Sequence, residues 1–203
     1  MRRPIAIAAV CVAAAFLLGT LWITSRPDGA DRFAECRASA VAGDIGGPFE
    51  LINARGETVT QDDVITEPSL IYFGYTFCPD VCPLDVDRNA LAVEILEERG
   101  HMVTPVFISV DPARDTPEVV GEFAEVMHPR MIGLTGSQEQ VAAASRAYKT
   151  YYRAQEPVDG EYLVDHSTFS YLVLPEVGFV DYFRREVTPE ELADRMQCFV
   201  EKL

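Results

Sequence analysis

An α/β sandwich is the fold this sequence predicts, on three observations. Short apolar runs alternate with amphipathic segments from about Ser69 onward. Two of the runs, Ser69–Tyr75 and Val103–Val110, are apolar almost throughout, as strands covered on both faces are. The last two runs, Phe169–Leu174 and Phe179–Arg184, are separated only by Pro175-Glu176-Val177-Gly178, a turn short enough to make them an antiparallel hairpin. Buried strands interleaved with helices pack as helices on a sheet.

In chain order, Met1-Arg2-Arg3 is basic, and Ile5 to Ser25 then runs without a charge. About 20 apolar residues suffice to cross a bilayer as a helix, and arginines on the short flank place that flank in the cytoplasm. Residues 1–25 therefore read as a transmembrane anchor. A cleaved signal peptide is the rival reading, but the run is longer than a signal core and ends at no small-x-small site. Residues 26–44 are small and polar and read as a linker. Residues 45–203 form the folded domain. It starts with a β-hairpin, Phe49–Ile52 and Glu57–Thr60, turned at Asn53-Ala54-Arg55-Gly56. The strand Ser69–Tyr75 follows, then a helix from Pro83 to Glu98 with Leu84, Leu91, Ile95 and Leu96 on one side. After the strand Val103–Val110 comes a helix Thr116–Met127, capped by Thr116 with Pro117 at its first position. A short strand Met131–Leu134 leads to a helix Ser137–Tyr148, opened by the capping box Ser137-Gln138-Glu139-Gln140. Tyr162–Val164 and the hairpin strands precede a last helix, capped by Thr188-Pro189-Glu190-Glu191 and reaching about Glu201. A parallel pair finished by a hairpin and a C-terminal helix is a thioredoxin-like layout.

Of 203 residues 48% are hydrophobic, enough for a full core, and the formal net charge is −15. Such acidity excludes a nucleic-acid backbone as partner and favours a basic one. No long exposed apolar helix remains outside the anchor, which favours a monomer. Of the five cysteines, Cys11 lies inside the anchor run. Cys36 and Cys198 stand near the two ends of the domain; an oxidising compartment would bridge them only if the fold brings them together, which sequence leaves open.

The stretch Phe77-Cys78-Pro79-Asp80-Val81-Cys82-Pro83 joins a strand to a helix. Backbone N–H groups and the positive end of the helix dipole gather in such a turn and favour thiolate. Pro83 disfavours a helical Cys82, so both cysteines are expected in the loop. Of the three histidines, His101 and His128 each lie between a helix end and the next strand, at the edge opposite the cysteines. His166 precedes the strand Phe169–Leu174, and if that strand is antiparallel to Ser69–Tyr75, His166 starts at the cysteine edge. Asp165 beside it is placed to orient the ring. Two thiolates and an imidazole form a soft ligand set suited to Cu(I), or to Cu(II) with an added ligand. The same residues are compatible with a plain disulfide, half a zinc site, and a hydrogen-bonded surface histidine. Asp80 reads as solvated, or as tuning the thiols or meeting a partner. Tyr151-Tyr152 and Phe183 read as packing.

Four segments carry a resemblance: Tyr72-Phe73-Gly74-Tyr75-Thr76-Phe77-Cys78-Pro79-Asp80-Val81-Cys82-Pro83, Phe107 through Pro117, Ile132-Gly133-Leu134-Thr135-Gly136, and Val164-Asp165-His166-Ser167. Together they closely resemble the Sco/SenC (PrrC-like) family over residues 44 to 197. The resemblance implies a thioredoxin-like fold behind one membrane helix, copper held by Cys78, Cys82 and His166, and a role in loading the CuA centre of cytochrome c oxidase subunit II. It implies a bacterial inner-membrane protein with its domain in the periplasm, or facing the intermembrane space in a mitochondrion, supplied by a periplasmic copper donor. For some bacterial members it implies instead a thiol-disulfide oxidoreductase or redox-signalling role. Asp80 and Asp165 fall on family positions without being ligands. Thioredoxins have two residues between their cysteines and a cis-proline before the late strand; here three residues separate the cysteines and His166 stands in that neighbourhood.

Overall fold

The structure, a computed structural model, describes residues 32–37 and 44–203. The chain divides into two units, Met1–Glu35 and Cys36–Leu203. The apolar run proposed as an anchor lies outside the described residues, and among those described no helix is long and apolar enough to cross a membrane.

The second unit is built on a seven-stranded sheet. In chain order its elements are β1 (Glu50–Asn53), β2 (Thr58–Thr60), α1 (Gln61–Val64), β3 (Ser69–Gly74), α2 (Val81–Glu98), β4 (Thr104–Ser109), α3 (Pro117–Met127), β5 (Ile132–Thr135) and α4 (Gln138–Ala147). They continue with β6 (Tyr152–Ala154), β7 (Val164–His166), β8 (Ser170–Leu174), β9 (Gly178–Phe183) and α5 (Pro189–Val200). The strand order is β2-β1-β5-β4-β3-β8-β9, and β6 and β7 make a separate two-stranded sheet. The centre is parallel, β3 to β4 and β4 to β5, while β8 and β9 close one side antiparallel. Every residue of β3, β4 and β8 is buried, as their unbroken apolar character predicts. The expected hairpin forms, but it is not a separate prelude: β1 pairs antiparallel with β5 and extends the main sheet.

Both β3-α2-β4 and β4-α3-β5 step the same way across the sheet, so right-handed crossovers put α2 and α3 on one face. Neighbouring side chains of β3 point to opposite faces. Tyr72 reaches Asp85 of α2, while Phe73 stacks on Tyr148 at the end of α4, with ring centroids 5.4 Å apart. The caps fall where the sequence puts them: the hydroxyls of Thr116, Ser137 and Thr188 accept from the N–H groups of Val119, Gln140 and Glu191.

Helix α2 departs from expectation twice. It starts at Val81 rather than Pro83, with Asp80 as N-cap, so Cys82 lies in its first turn. Proline is tolerated there because first-turn N–H groups have no helical acceptor, and the Cys82 N–H donates instead to the Cys78 sulfur at 3.3 Å. The proposed inner stripe is also wrong in part, since Leu84 is 60% and Leu91 42% exposed. The buried face carries Cys82, Asp85, Val86, Arg88, Asn89, Ala92, Val93 and Leu96. Its polar members are paired: Asp85 accepts from Tyr72, and Arg88 and Asn89 both donate to the Ser170 hydroxyl. Pairing of this kind lets polar groups occupy a core, and it misleads a reading that assigns only apolar residues to the inside.

Candidate metal centre

Strand β3 ends one residue before Tyr75, and the chain then turns through Thr76 and Phe77 to Cys78. That turn is held from below by Asp115, which is fully buried. Its carboxylate accepts from the Thr76 N–H at 3.0 Å, the Thr76 hydroxyl at 2.6 Å and the Ser109 hydroxyl at 2.5 Å. Burial pushes the Asp115 carboxyl above the usual range despite these donors. Gly74 lets the second cysteine approach: a Cβ there would sit 2.9 Å from the Tyr72 ring, 3.0 Å from Phe107 and 3.2 Å from the Cys82 sulfur.

The strand pairing selects among the histidines as the sequence suggests. Because β8 runs antiparallel to β3, the segment before β8 starts at the cysteine edge and carries His166, the last residue of β7. His166 Nε2 lies 3.1 Å from Cys82 Sγ. Among the described residues, the ligand atoms of Cys78, Cys82 and His166 form a group able to hold a metal ion, all within 4.8 Å of one another. Both cysteines are free thiols. His101 and His128 stay at the far edge, facing Glu201 at 3.5 Å and Glu97 at 3.8 Å.

His166 Nδ1 lies 2.9 Å from the Ser167 carbonyl. A carbonyl only accepts, so Nδ1 carries the proton and the Nε2 lone pair faces the sulfurs. The ring is flanked edge-on by Tyr72 and Tyr75, at 6.1 Å and 5.8 Å between centroids. Burial lowers its pKa and keeps the imidazole neutral, as a ligand must be. The orienting partner is thus the main chain and not Asp165, whose carboxylate accepts from Gln155 at the surface. Asp80 is exposed and its side chain makes no cap bond.

The thiols differ more than their shared loop suggests. Burial opposes ionisation of Cys78, but donors from the Cys82 thiol, the Asp80 and Cys82 N–H groups and the Tyr75 phenol outweigh it, and its pKa falls. Cys82 moves the other way: burial, and then the neighbouring Cys78, push its thiol up. The expectation that the turn lowers both holds for Cys78 alone. A soft, reduced donor set with one activated thiol and a neutral imidazole fits a thiophilic metal.

Cys36 and Cys198 form a disulfide with Cα atoms 5.6 Å apart, which settles the question left open above. Sequence reasoning assigned no role to Tyr72, Asp85, Arg114, Asp115 or Tyr162. The signal for Arg114 and Asp115 was present in Asp111-Pro112-Ala113-Arg114-Asp115-Thr116-Pro117, a run dense in charge directly after a buried strand.

The family model described as SCO1/SenC matches residues 37–201. This chain belongs to the SCO1/SenC family. It is 56% identical to Protein SenC of Rhodobacter capsulatus over 183 residues, covering 89% of this chain and 83% of that one. It is 44% identical to the mitochondrial Protein SCO1 homolog 1 of Arabidopsis thaliana over 151 residues, covering 74% of this chain but only 45% of that longer one. Among solved structures, Arabidopsis thaliana ScoI with copper bound superposes with a TM-score of 0.73 at 42% identity, covering 77% of this SCO1/SenC chain and 99% of the other. The thioredoxin-like reading of the fold stands with that match.

Proposed function

We propose that this SCO1/SenC protein is a copper chaperone that holds copper as cargo on Cys78, Cys82 and His166 and passes it to the CuA site of cytochrome c oxidase subunit II during assembly. The observation that carries this reading is the convergence of two free sulfurs and one lone-pair-bearing nitrogen within 4.8 Å, from segments more than 80 residues apart in the chain. A soft cation, Cu(I) or Cu(II) with an added ligand, matches those donors. The protein contributes the neutral imidazole, the thiolate of Cys78 and a second thiol that surrenders its proton on binding. Release follows by exchange onto a partner's cysteines and histidines. Exchange with a disulfide of a partner also releases the cargo: the partner's S–S bond breaks and takes up two electrons, the Cys78–Cys82 S–S bond forms, and neither sulfur remains a thiolate ligand.

On this reading residues 1–25 anchor the protein in the bacterial inner membrane, a linker within 26–44 leads out of it and is tied back at Cys36 by the bridge to Cys198, and 45–203 make the copper-binding domain in the periplasm, where a donor protein loads it as a monomer. Replacement His166→Ala in the reduced domain is expected to lower copper affinity and abolish the sulfur-to-copper charge-transfer bands seen on mixing with Cu(II). Unchanged stoichiometry, affinity and spectrum would falsify the assignment.

The asymmetry of the thiols supports a second reading, a thiol-disulfide oxidoreductase acting on the oxidase subunit's cysteines or in redox signalling. Cys78 thiolate would attack a partner disulfide and expel one partner thiolate. Cys82 thiolate would then attack the Cys78 sulfur and release the second, leaving the partner reduced and the pair oxidised. A Cys82→Ser protein that traps a mixed disulfide, with full complementation in cells by His166→Ala, would favour it.

A further inference from the structure

His166 is carried on an arm, residues 151–167, whose strands β6 and β7 pair only with each other. The main sheet therefore does not hold this arm by backbone hydrogen bonds between strands. Side chains join it to the cysteine loop, and Arg114, in the turn after β4, reaches both of them. Its guanidinium carbon stands 3.7 Å over the Tyr162 ring, 5.0 Å from that of Phe77 and 5.7 Å from that of Tyr75. Tyr162 belongs to the arm, four residues before His166; Tyr75 and Phe77 lead into Cys78. Arg114 Nε donates to Asp111 Oδ2 at 2.5 Å, and Asp111 Oδ1 accepts from the Tyr162 hydroxyl at 2.7 Å. Cation, carboxylate and phenol close a ring of contacts that spans both halves of the site. Among the described residues the buried Arg114 Nη2 finds no hydrogen-bond partner, so the bond to Asp111 and the stack on the rings together place the guanidinium. A flat cation between aromatic faces does this where an ammonium does not.

We propose that Arg114 is a positioning residue that clamps the His166 arm onto the Cys78 loop, and so sets how tightly the three donors hold their cargo and how readily the arm lets it go. It touches none of the three ligands and acts through Tyr162, Tyr75 and Phe77. The metal part of this proposal rests on the copper-binding reading above; the clamp itself does not.

The test uses the reduced protein without metal, then with Cu(I) and Cu(II). In the metal-free state, Arg114→Ala should speed amide hydrogen exchange across residues 155–166 relative to the seven-stranded sheet. Its Cu(I) affinity, measured by competition with a chromophoric chelator, should fall about ten- to a hundred-fold, as for other residues that orient metal ligands, and its Cu(II)–thiolate band should shift. Arg114→Lys, which keeps the charge beside Asp111 but not the flat stack, should show the same losses. Tyr162→Phe, which keeps the ring under the guanidinium but loses the bond to Asp111, should lose clearly less than Arg114→Ala on both readouts. Tyr162→Ala should reproduce Arg114→Ala and serves in its place if that variant does not fold. Wild-type arm exchange in Arg114→Ala would overturn the clamp, and full restoration by Lys would overturn the stacking argument. If the wild-type protein bound no copper, the functional reading would fail while the exchange comparison still decided the clamp.

Discussion

Cys78 and Cys82 are four positions apart, yet their surroundings divide the work between them. Cys78 receives N–H and O–H donors from the helix start and from Tyr75, whereas Cys82 is sealed against Gly74 and Tyr72 inside the first turn of α2. The sign of the pH effect follows. A thiol whose pKa is lowered is more fully thiolate at neutral pH, and its alkylation rate rises with pH through a value below the ordinary one. In reduced, metal-free protein near pH 7, iodoacetamide should therefore label Cys78 well ahead of Cys82, read by peptide mass spectrometry. Equal labelling, or Cys82 first, would contradict the assigned asymmetry. The residue types and spacing of the pair were plain in the sequence. Their difference was not, because it arises from Tyr75, Tyr72 and Gly74, whose positions relative to the sulfurs depend on the packing of β3 against α2.

At the level of elements, the strand–turn–helix from β3 to α2 is the device that presents the sulfurs, and Gly74 is its tightest point. An added methyl there meets two aromatic rings and the Cys82 sulfur inside ordinary contact distance. Gly74→Ala should destabilise the domain by about 1–3 kcal/mol, the usual cost of overpacking a filled core, and should weaken metal binding by displacing Cys82. A denaturant midpoint and a copper titration check the two effects separately. Most elements were readable because their signals are local: Thr116-Pro117, Ser137-Gln138-Glu139-Gln140 and Thr188-Pro189-Glu190-Glu191 mark helix starts that the structure confirms. The inner face of α2 was misread because Asp85, Arg88 and Asn89 are buried by partners on β3, β8 and the segment after β9. β6 was missed because three residues paired only to β7 give too short a pattern to see.

Across the whole second unit, the metal edge and the covalent tie sit at opposite ends. The last turns of α5 lie beside the end of α2, where Arg99 donates to Asp194 and Gln197, and Cys198 follows at once. The Cys36–Cys198 bridge spans 162 residues of sequence, so it restricts the unfolded chain strongly. Replacing both cysteines by serine should cost about 2–5 kcal/mol of stability, seen as a lower urea midpoint, and leave copper affinity unchanged. A loss of copper binding equal to that of His166→Ala would show that the two ends are coupled.

The sequence by itself determined the alternation of elements, the caps and the Cys78–Cys82 pair, and it picked out His166 on the condition that β8 runs against β3, a direction the strand pairing supplies. These rest on periodicity and on neighbours close along the chain. Only the tertiary structure decided which thiol is activated, that Ser167 rather than Asp165 fixes the His166 ring, and that Arg114 joins the arm to the loop. Each of those depends on atoms from distant segments meeting at hydrogen-bonding or stacking distance, and such meetings are set by how the strands order and the helices pack.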